Sequence, residues 1–380
     1  LLPFGQTTAN GNDSIRLSLL TCAPGEEIYS LFGHTAIRYE DPANGIDAVF
    51  NYGLFSFNTP NFIFRFSLGE TDYQLGATDY AHFAAEYAFD GRSVWQQTLN
   101  LSKEEKAELI RLLQENYRPE NRVYRYNFFY DNCATRPRDK IEESIIGKVI
   151  YPSEPQDGSR SFRDIVHQYC KGHPWARFGI DLCIGSEADR PITQRQMMFA
   201  PFYLMDAFAG AQIANDSIQR PLVSDKALIV DAVSDEEEGG WMPTPLQCSL
   251  LLFILTAAAT IYSLRKRTGL WGVDLVLFGT AGIVGCVLAF LALFSEHPAV
   301  SSNFLLLVFH PGQFLFLPYI IYCVRKGKKC WYLTLNLIVL TLFIAFFPLI
   351  PQRFDFAVVP LALCLLIRSA SNLILTSKKK

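Results

Sequence analysis

The sequence lacks an excess of charge of either sign, because 34 basic and 37 acidic side chains give its 380 residues a net charge of −3. A chain so close to neutral gives no general case for nucleic-acid binding. Its nine cysteines and six histidines also lack the spacing that is typical of a zinc site. No internal repeat is apparent, so the chain is not interpreted as a repeat protein.

Charged residues become scarce after residue 245, where five long apolar runs follow one another. Each run has about the ~20 residues that are needed to cross the hydrocarbon core of a membrane. A buried core helix explains one such run, but hardly five in succession. We therefore predict an all-α domain of five transmembrane helices at 246–380. The runs cover residues 246–264, 270–294, 304–324, 331–350 and 354–375.

Two of the loops between these runs have little positive charge. Residues 295–303 and 351–355 carry a single basic residue, Arg353. Basic clusters instead follow the first, third and fifth runs, at 265–267, 325–329 and 378–380. Positive residues mark the cytoplasmic side, so the chain enters the membrane from outside and residues 13–245 form an exported domain. Asp274, near the cytoplasmic end of the second run, is interpreted as a structural partner of the first basic cluster.

The N-terminal residues LLPFGQTTA are typical of the end of a secretory signal, with small residues that lead to Ala9. We expect cleavage near Ala9, with an uncleaved anchor as the alternative, and residues 1–12 are excluded from the predicted fold. Export also bears on Cys170 and Cys183, because cysteines pair in an oxidising compartment. These two are close enough in sequence to close a short disulfide loop, and a free pair is equally consistent with the sequence.

The exported domain combines several strands with one clear helix. Alternating apolar residues predict strands in SIRLSLLTC, FGHTAIRYED, DAVFNYGLFSF, NFIFRFSLG and SVWQQTLNL. The segment SKEEKAELIRLLQENY predicts a helix that begins with a capping box of Ser102 and Glu105 and ends before Pro119. The apolar run at 196–213 predicts one long helix. It is either a core helix or a surface that meets lipid or an acyl chain.

The segment YRYNFFYDNCATRPRD places Cys133 at the corner between an aromatic strand and a helix. Asn132 or Asp131 can cap that helix. The thiol then meets the positive end of the helix dipole, which stabilises a thiolate. Arg136 and Arg138 add positive charge one turn later. This pattern predicts a nucleophile, whereas the alternative is a buried cysteine that serves packing alone.

A nucleophilic thiol needs a base, and His34 is the histidine that directly follows a glycine and leads a predicted strand. A histidine beside a cysteine forms an activated Cys–His pair. The next strand carries Asp47 and Asn51 on one face, and either can orient the imidazole. Cys22 is the rival thiol, but its surroundings, LLTCAPG, offer neither a cap nor a helix dipole.

The motifs GHTAIRYED, NYGLFSF and YNFFYDNCATRPRD resemble the periplasmic domain of bacterial lipoprotein N-acyltransferases of the Lnb type, and HPAVSSNFLLLVFHPGQ resembles their membrane part. More distantly, a histidine-led strand before an Asn-Cys helix is similar to the lecithin–retinol acyltransferase and NlpC/P60-like group. That group implies an α+β, circularly permuted papain-like fold for residues 13–245. No histidine occupies the group's usual third position, and the papain-like resemblance favours Asn51 over Asp47.

The Lnb resemblance implies a lipoprotein N-acyltransferase in the bacterial inner membrane, with its catalytic domain on the periplasmic side. Cys133 is expected to take a fatty acyl chain from a phospholipid donor as a thioester, with His34 as the base. The acceptor is the α-amine of the lipidated N-terminal cysteine of a diacylglyceryl apolipoprotein. No cofactor or metal is expected, because the donor is already an activated ester. The residues expected to bind substrate are Asn132, Arg136, Arg138, His297 and Asn303.

Polar residues within the membrane part admit two interpretations. The segment His310-Pro311-Gly312-Gln313 interrupts the third apolar run, and polar groups at membrane depth are candidates for function. A helix kink whose polar groups are satisfied by neighbours is the alternative.

Two other classes of protein also remain open. One is a membrane-tethered periplasmic cysteine peptidase or amidase that acts on the cell wall, and the other is a non-catalytic, lipid-binding assembly factor.

Overall fold

The structure, a computed structural model, describes residues 14–55, 60–152, 160–215, 219–232 and 242–377. The predicted signal remnant at 1–12 and the basic cluster at 378–380 lie outside the described residues. The chain divides into two compact units. The first comprises Leu1–Tyr169 and Pro191–Glu238, and the second comprises Cys170–Arg190 and Gly239–Lys380. A β-rich N-terminal region is thus followed by a helical C-terminal region.

All the described strands belong to the first unit. They are β1 (Arg16–Cys22), β2 (His34–Asp41), β3 (Ile46–Leu54), β4 (Asp72–Asp79), β5 (Val94–Leu99), β6 (Val123–Arg125), β7 (Lys148–Ile150), β8 (Gln212–Ala214), β9 (Gln219–Pro221) and β10 (Val223–Val230). Seven form an antiparallel sheet in the order β10-β5-β1-β2-β3-β4-β6, and three form a small sheet in the order β7-β8-β9.

The helices are numbered through both units. They are α1 (Phe62–Leu68), α2 (Tyr80–Phe89), α3 (Lys103–Tyr117), α4 (Thr135–Ser144), α5 (Phe162–Tyr169), α6 (Pro174–Cys183), α7 (Gln194–Met197), α8 (Pro201–Gly210), α9 (Pro245–Lys266), α10 (Trp271–Phe294), α11 (Pro311–Leu315), α12 (Leu317–Lys326), α13 (Trp331–Ala345) and α14 (Val358–Ser377). Short 3₁₀ turns occur at Ser186–Asp189, Pro298–Val300, Phe304–Leu307 and Phe347–Leu349.

The large sheet is covered on both faces. One face forms a cluster with α3, α4 and α8, in which Leu19 and Phe50 of the sheet accompany Leu109 of α3. The other face packs with α2 through Phe83 and Tyr87. β1 is buried on both sides from its second residue onward, and its buried residues include Ser18 and Thr21 as well as apolar side chains. The central strands are therefore a fixed platform for the side chains at their ends.

Most of the predicted elements of the first unit are confirmed. The predicted strands in four of the five segments correspond to β1, β2, β3 and β5. The predicted helix is α3, and its capping box forms in both directions between Ser102 and Glu105. The fifth predicted strand, NFIFRFSLG, is wrong, because it forms α1. Phe62, Phe64 and Phe66 alternate as in a strand, but Phe62 and Phe66 also lie one helical turn apart, and their rings stack at 6.1 Å.

The predicted long helix at 196–213 is two short helices. α7 ends at Met197 and α8 begins at Pro201, because proline lacks the N–H that would continue a helix and is favoured in a first turn. Met197, Leu204 and Phe208 are buried in the structure. The segment is therefore part of the core, and the alternative of a lipid-facing surface is wrong for these residues.

The second unit has fewer long helices than the five that the apolar runs predict. Among the described residues, three helices are long and apolar enough to cross a membrane, namely α9, α10 and α14. The pair α12 and α13 passes the same test together but bends by 111°, which makes the number of candidate spans three or four. The third predicted run is divided into a 3₁₀ turn, α11 and α12.

The division of the third run has two local causes. His310 precedes a proline and takes an extended conformation, with φ −133° and ψ 151°, as steric contact with proline requires. The backbone of this region also lies directly on α10. A Cβ added at Gly285 would lie 2.4 Å from the backbone nitrogen of His310. The buried amide of Gln313 donates to the Val308 carbonyl oxygen at 2.8 Å, so neighbours satisfy part of the interrupted segment.

A buried ion pair joins α10 and α14. Arg368 donates to both carboxylate oxygens of Asp274, at 2.7 and 3.0 Å, and Asn372 donates to the same carboxylate at 2.9 Å. The expected pairing of Asp274 with the basic cluster at 265–267 is therefore wrong. Those basic side chains are exposed, whereas a fully buried carboxylate requires a buried partner.

The segment Cys170–Arg190 packs within the helical unit. The Asn303 side chain donates to the Leu182 carbonyl oxygen at 2.7 Å, and Arg177 donates to Asp355 at 3.1 Å. Cys170 and Cys183 are both free thiols in the structure. A stretch of chain that composition places in the exported region is thus held by side chains of the C-terminal region.

Candidate functional site

His34 begins β2 and is oriented by a side chain of β3. Gly33 precedes it with φ +78°, and a Cβ there would lie 2.5 Å from the Cys22 carbonyl oxygen, so the position requires glycine. His34 Nε2 lies 3.1 Å from Asn51 Oδ1. Asn51 Nδ2 donates to Thr78 Oγ1 at 3.3 Å, which turns its carbonyl oxygen toward the imidazole. Nε2–H is then the donor, and Nδ1 is the unprotonated nitrogen.

Asp47, the other predicted partner of the histidine, lies elsewhere on β3. Its carboxylate accepts two hydrogen bonds from Arg38, at 2.8 and 2.7 Å. In the strand register, Asn51 is opposite Ala36, two residues from His34. The structure therefore brings Asn51 to the imidazole and Asp47 to an arginine.

Cys133 lies in the turn that leads into α4. Asn132 Oδ1 accepts hydrogen bonds from the backbone N–H groups of Ala134 and Thr135, at 2.9 and 3.0 Å. Its amide nitrogen donates to the Phe199 carbonyl oxygen at 2.9 Å. Asn132 thus caps the turn that precedes α4, whose own N-cap residue, Ala134, has no side-chain cap, and it also ties this turn to the segment between α7 and α8.

The cysteine turn and the histidine strand meet beside the end of β3. The pairing of β2 with β3 ends at Ala36 and Asn51, two residues from His34 and two residues from Gly53. A Cβ added at Gly53 would lie 3.6 Å from Cys133 Cβ. The backbone N–H of Thr35, the residue after His34, faces the Cys133 sulfur. The thiol is therefore next to the first residues of β2.

Burial keeps both groups neutral. It raises the pKa of the Cys133 thiol from 9.0 to about 11, against a smaller lowering by the backbone N–H groups of Thr35 and of Cys133 itself. Burial likewise lowers the pKa of His34 from 6.5 to about 4, although the hydrogen bond to Asn51 opposes this change. Desolvation therefore opposes the resting thiolate that the helix terminus and the arginines predict.

The two arginines after Cys133 direct their charge at carboxylates rather than at the thiol. Arg136 donates to both oxygens of Asp131, at 2.6 and 2.7 Å, and its guanidinium lies 3.6 Å from the centre of the Tyr124 ring. Arg138 is buried and donates to Asp139 at 2.9 Å. Their charge is therefore paired with carboxylates and is not directed at the Cys133 thiol.

The rival thiol, Cys22, is a packing residue. Its side chain is fully buried in the cluster between the sheet and α2. Burial raises the pKa of Cys22 to about 12, although Tyr87 and Arg92 oppose this change. Cys133, by contrast, is partly accessible. The structure therefore favours Cys133 over Cys22 as the reactive thiol.

The remaining predicted site residues, His297 and Asn303, belong to the helical unit. Asn303 is buried, and its Oδ1 accepts hydrogen bonds from Leu305 N–H at 3.0 Å and from Gln352 at 3.1 Å. His297 is half-buried and precedes a 3₁₀ turn. Asn303 thus serves the packing of the helical unit, whereas His297 retains accessible surface.

Two residues near Cys133 were missed in the sequence. They are Gly53 and Tyr124, since a Cβ added at Gly53 would lie 3.6 Å from Cys133 Cβ and 3.8 Å from Tyr124 Oη. A glycine inside a predicted strand is a signal of close approach by other groups, and Gly53 is such a glycine.

The described residues contain no group of three or more His, Cys, Asp or Glu side chains placed to hold a metal ion.

Two protein-family models match the chain. The model of the Lnb N-terminal periplasmic domain matches residues 6–157, and the model of the Lnb transmembrane domain matches residues 236–380. The first match contains His34, Asn51 and Cys133, and the second contains α9 to α14. No curated protein and no solved structure matches the chain.

Proposed function

The chain belongs to the Lnb family and is a membrane protein with a periplasmic part, and from this premise we propose that it is a lipoprotein N-acyltransferase of the bacterial inner membrane. The observation that carries the proposal is the hydrogen bond of His34 to Asn51 at 3.1 Å, beside Cys133. A thiol, a base and a residue that orients the base are the components of a cysteine nucleophile. All three lie within the region that matches the periplasmic domain.

In the first half-reaction, the Cys133 sulfur attacks the carbonyl carbon of an acyl ester in a phospholipid. His34 Nδ1 takes the thiol proton as the S–C bond forms, and the carbonyl π electrons move onto oxygen. When this intermediate collapses, the ester C–O bond breaks and His34 returns the proton to the leaving oxygen. The products are a lysophospholipid and an acyl thioester on Cys133.

In the second half-reaction, the α-amine of a diacylglyceryl apolipoprotein attacks the thioester. Its pKa near ~7.7–8.0 leaves part of the amine neutral at neutral pH. His34 accepts a proton from the nitrogen as the C–N bond forms, and the Cys133 sulfur receives a proton as the C–S bond breaks. The amide product leaves and the free thiol returns, without a requirement for a metal or another cofactor.

The other predicted site residues take different parts in this proposal. Asn132 and Arg138 hold the start of α4 in place, and Asn303 holds the helical unit. Contact with the phospholipid headgroup then falls to Arg136, whose side chain is 25% exposed. A guanidinium that already binds one carboxylate can still donate to a phosphate through its remaining N–H groups. His297, in the helical unit, is proposed separately as a substrate-binding residue of that unit.

The finer architecture belongs to the same proposal. The exported domain, residues 13–245, is a circularly permuted papain-like fold, which is supported by a histidine strand that precedes the cysteine helix along the chain. The membrane domain, residues 246–380, makes five passes. α9, α10 and α14 have the required length, and the shorter segments α11–α12 and α13 supply the other two passes.

The proposal is tested by the mass of the protein after contact with a lipid donor. The full-length protein is incubated with vesicles of one phospholipid of defined chain length, and its intact mass and peptides are measured. We expect a gain of one acyl group on Cys133, which is lost when a diacylglyceryl peptide with a free α-amine is added. Cys133→Ala should carry no adduct, whereas Cys22→Ser, the matched control on the buried thiol, should carry it.

His34→Ala should slow formation of the adduct by about 10²–10⁴-fold, the usual contribution of a general base. Unchanged N-acylation by Cys133→Ala would end the covalent mechanism. A peptidyl adduct from cell-wall fragments, with no acyl adduct from lipid, would instead establish the peptidase alternative.

A further inference from the structure

The hydroxyl group of Tyr124 is buried without a hydrogen-bond partner among the described residues. Its ring is fixed on β6 by the Arg136 guanidinium, 3.6 Å from the ring centre, and by the Tyr52 ring at 6.4 Å. An unpartnered buried hydroxyl costs free energy, because it has lost its hydrogen bonds to water. Native proteins hold few such groups, and each one calls for a physical reason.

The Tyr124 hydroxyl borders a space that a glycine leaves beside the thiol. Gly53 has φ +91°, a conformation that favours glycine. A Cβ at this position would lie 3.6 Å from Cys133 Cβ and 3.8 Å from Tyr124 Oη, and no other non-neighbouring atom of the described residues lies within 4 Å. The carbon that bears the nucleophile and a hydrogen-bond donor thus face the same unfilled position.

Attack on an ester creates a need for donors at that position. As the Cys133 sulfur bonds to the carbonyl carbon, the carbonyl oxygen becomes negative, and donors aimed at it stabilise the transition state. The Cys133 N–H faces the sulfur and supplies one donor. The next two N–H groups, of Ala134 and Thr135, already donate to Asn132. A second donor must therefore come from outside the turn.

We propose that the hydroxyl of Tyr124 is this second donor, so that Tyr124 Oη–H and Cys133 N–H together form the oxyanion hole. Tyr124 is then a catalytic residue that contacts the reacting oxygen. Burial raises the pKa of Tyr124 well above its ordinary value, so the hydroxyl keeps its proton and acts as a donor rather than as a base. The assignment rests on the proposed function, because an oxyanion arises only if Cys133 attacks an acyl group.

The test compares two reactions of the same thiol, one with an oxyanion and one without. The full-length protein is treated in detergent with a short-chain p-nitrophenyl ester, which acylates a thiol through an oxyanion. In parallel it is treated with iodoacetamide, which alkylates a thiol without one. Both adducts at Cys133 are followed by mass spectrometry in the wild type, in Tyr124→Phe and in Tyr52→Phe. Tyr52 is the matched control, because its hydroxyl donates to Asn116 at 2.8 Å and its ring neighbours Tyr124.

Tyr124→Phe should lower the rate of acylation by about 10²–10³-fold, the usual effect of removing one oxyanion donor, and should leave the rate of alkylation unchanged. Its thermal unfolding temperature should not fall, since the deleted hydroxyl has no partner to lose. Tyr52→Phe should lower the unfolding temperature and keep both reaction rates. This combination separates a role in the transition state from a role in packing.

Two results would overturn the role of Tyr124 without overturning the proposed function. Acylation of Tyr124→Phe at the wild-type rate excludes the donor role, and a parallel fall in acylation and alkylation shows that Tyr124 supports the thiol instead. If the wild type itself forms no acyl adduct, the thioester chemistry and the role of Tyr124 fail together. If the wild type accepts the p-nitrophenyl ester but no phospholipid, and Tyr124→Phe is deficient, Tyr124 is supported and the phospholipid donor is overturned.

Discussion

At the scale of single residues, the orientation of the His34 imidazole depends on one amide. Asn51→Ala removes the oxygen that accepts from Nε2–H, so the base remains but is no longer held. We expect slower formation of the acyl adduct, with a smaller loss than the ~10²–10⁴-fold expected for His34→Ala. Asp47→Ala is the matched control on the same strand and should leave the rate unchanged, because Asp47 binds Arg38. A silent Asn51→Ala beside a severe Asp47→Ala would reverse this assignment.

The neutral state of the resting pair gives the site a distinctive dependence on pH. The pKa of Cys133 is raised to about 11 and the pKa of His34 is lowered to about 4. The neutral thiol and imidazole therefore persist between these values, and the rate of acyl-adduct formation should stay level across neutral pH. Because the pKa of the thiol is raised above 9.0, its thiolate fraction at pH 7 is roughly a hundredfold lower than ordinary.

Alkylation of Cys133 by iodoacetamide measures that thiolate fraction directly. We expect a rate that is slow at pH 7 and rises continuously toward the pKa of about 11, with Cys133→Ala as the control for labelling elsewhere. A rate that is already maximal at neutral pH would show a thiolate–imidazolium pair, which is the state that the cap and the arginines suggest in the sequence.

The candidate site could be predicted from sequence where the signals are local. His34 follows a glycine at the start of a strand, and Cys133 follows a capping asparagine, so both are visible in short motifs. The electrostatic surroundings of the thiol cannot be predicted from a short motif in the same way. Whether Arg136 faces the sulfur or Asp131 is decided by the turn that folds Asp131 back. Tyr124 lies near the site because β6 pairs with β4, and no short sequence motif predicts that pairing.

At the scale of elements, short apolar runs were the main source of error. The segment of α1 alternates like a strand and has the spacing of a helix as well, and none of its side chains is buried to favour one period over the other. The third apolar run forms no single helix, and the reason is different. Its composition fits a membrane span. The run is nevertheless interrupted at His310-Pro311, where the backbone packs closely against Gly285, and a hydropathy profile does not reveal such an interruption.

The contact between α10 and α14 gives a test at the same scale. Arg368→Ala leaves Asp274 buried without its cation, and removing one partner of a buried pair costs ~3–5 kcal/mol. We expect a large fall in the thermal unfolding temperature of the detergent-solubilised protein. Arg267→Ala, in the exposed cluster that was first expected to pair with Asp274, should have little effect.

A double variant distinguishes the missing partner from a general loss of packing. Asp274→Leu combined with Arg368→Met replaces the pair by apolar groups and should recover much of the stability, as buried pairs often tolerate. An Arg368→Ala protein that is as stable as the wild type would contradict the view that this pair holds the two helices together.

At the scale of the whole molecule, composition and packing divide the chain differently. Composition changes near residue 245, whereas Cys170–Arg190 already belongs to the helical unit. Phe178 and Leu182 of α6 pack against the hydrophobic cluster of that unit. The sequence of α6 shows an apolar face, but an apolar face does not specify which of two units covers it. The hydrogen bonds from Asn303 and Gln352 and this packing show that the segment lies with the helical unit.

This division predicts how the exported part behaves without the membrane helices. A protein that ends after residue 232 keeps α6 but loses the surface that covers Phe178 and Leu182. A second variant also ends after residue 232, and in it a Gly/Ser linker replaces Cys170–Arg190. Ser161 pairs with Pro191, and α5 spans eight residues from Phe162 to Tyr169, or about 12 Å. A linker of about eight residues has a mean reach of roughly 16 Å and closes that gap.

We expect the first variant to associate through its exposed apolar helix and the second to be monomeric, with the higher unfolding temperature of the two, as measured by gel filtration and thermal unfolding. The second variant retains Cys133, His34, Asn51 and Tyr124, so it should still be acylated by a soluble p-nitrophenyl ester. It should transfer acyl chains poorly from vesicles, since remote binding of the lipid tails is needed to orient the ester. Equal transfer from vesicles by this variant and the full-length protein would reduce the helices to an anchor. An unfolded second variant beside a folded first one would show that the first unit itself requires Cys170–Arg190.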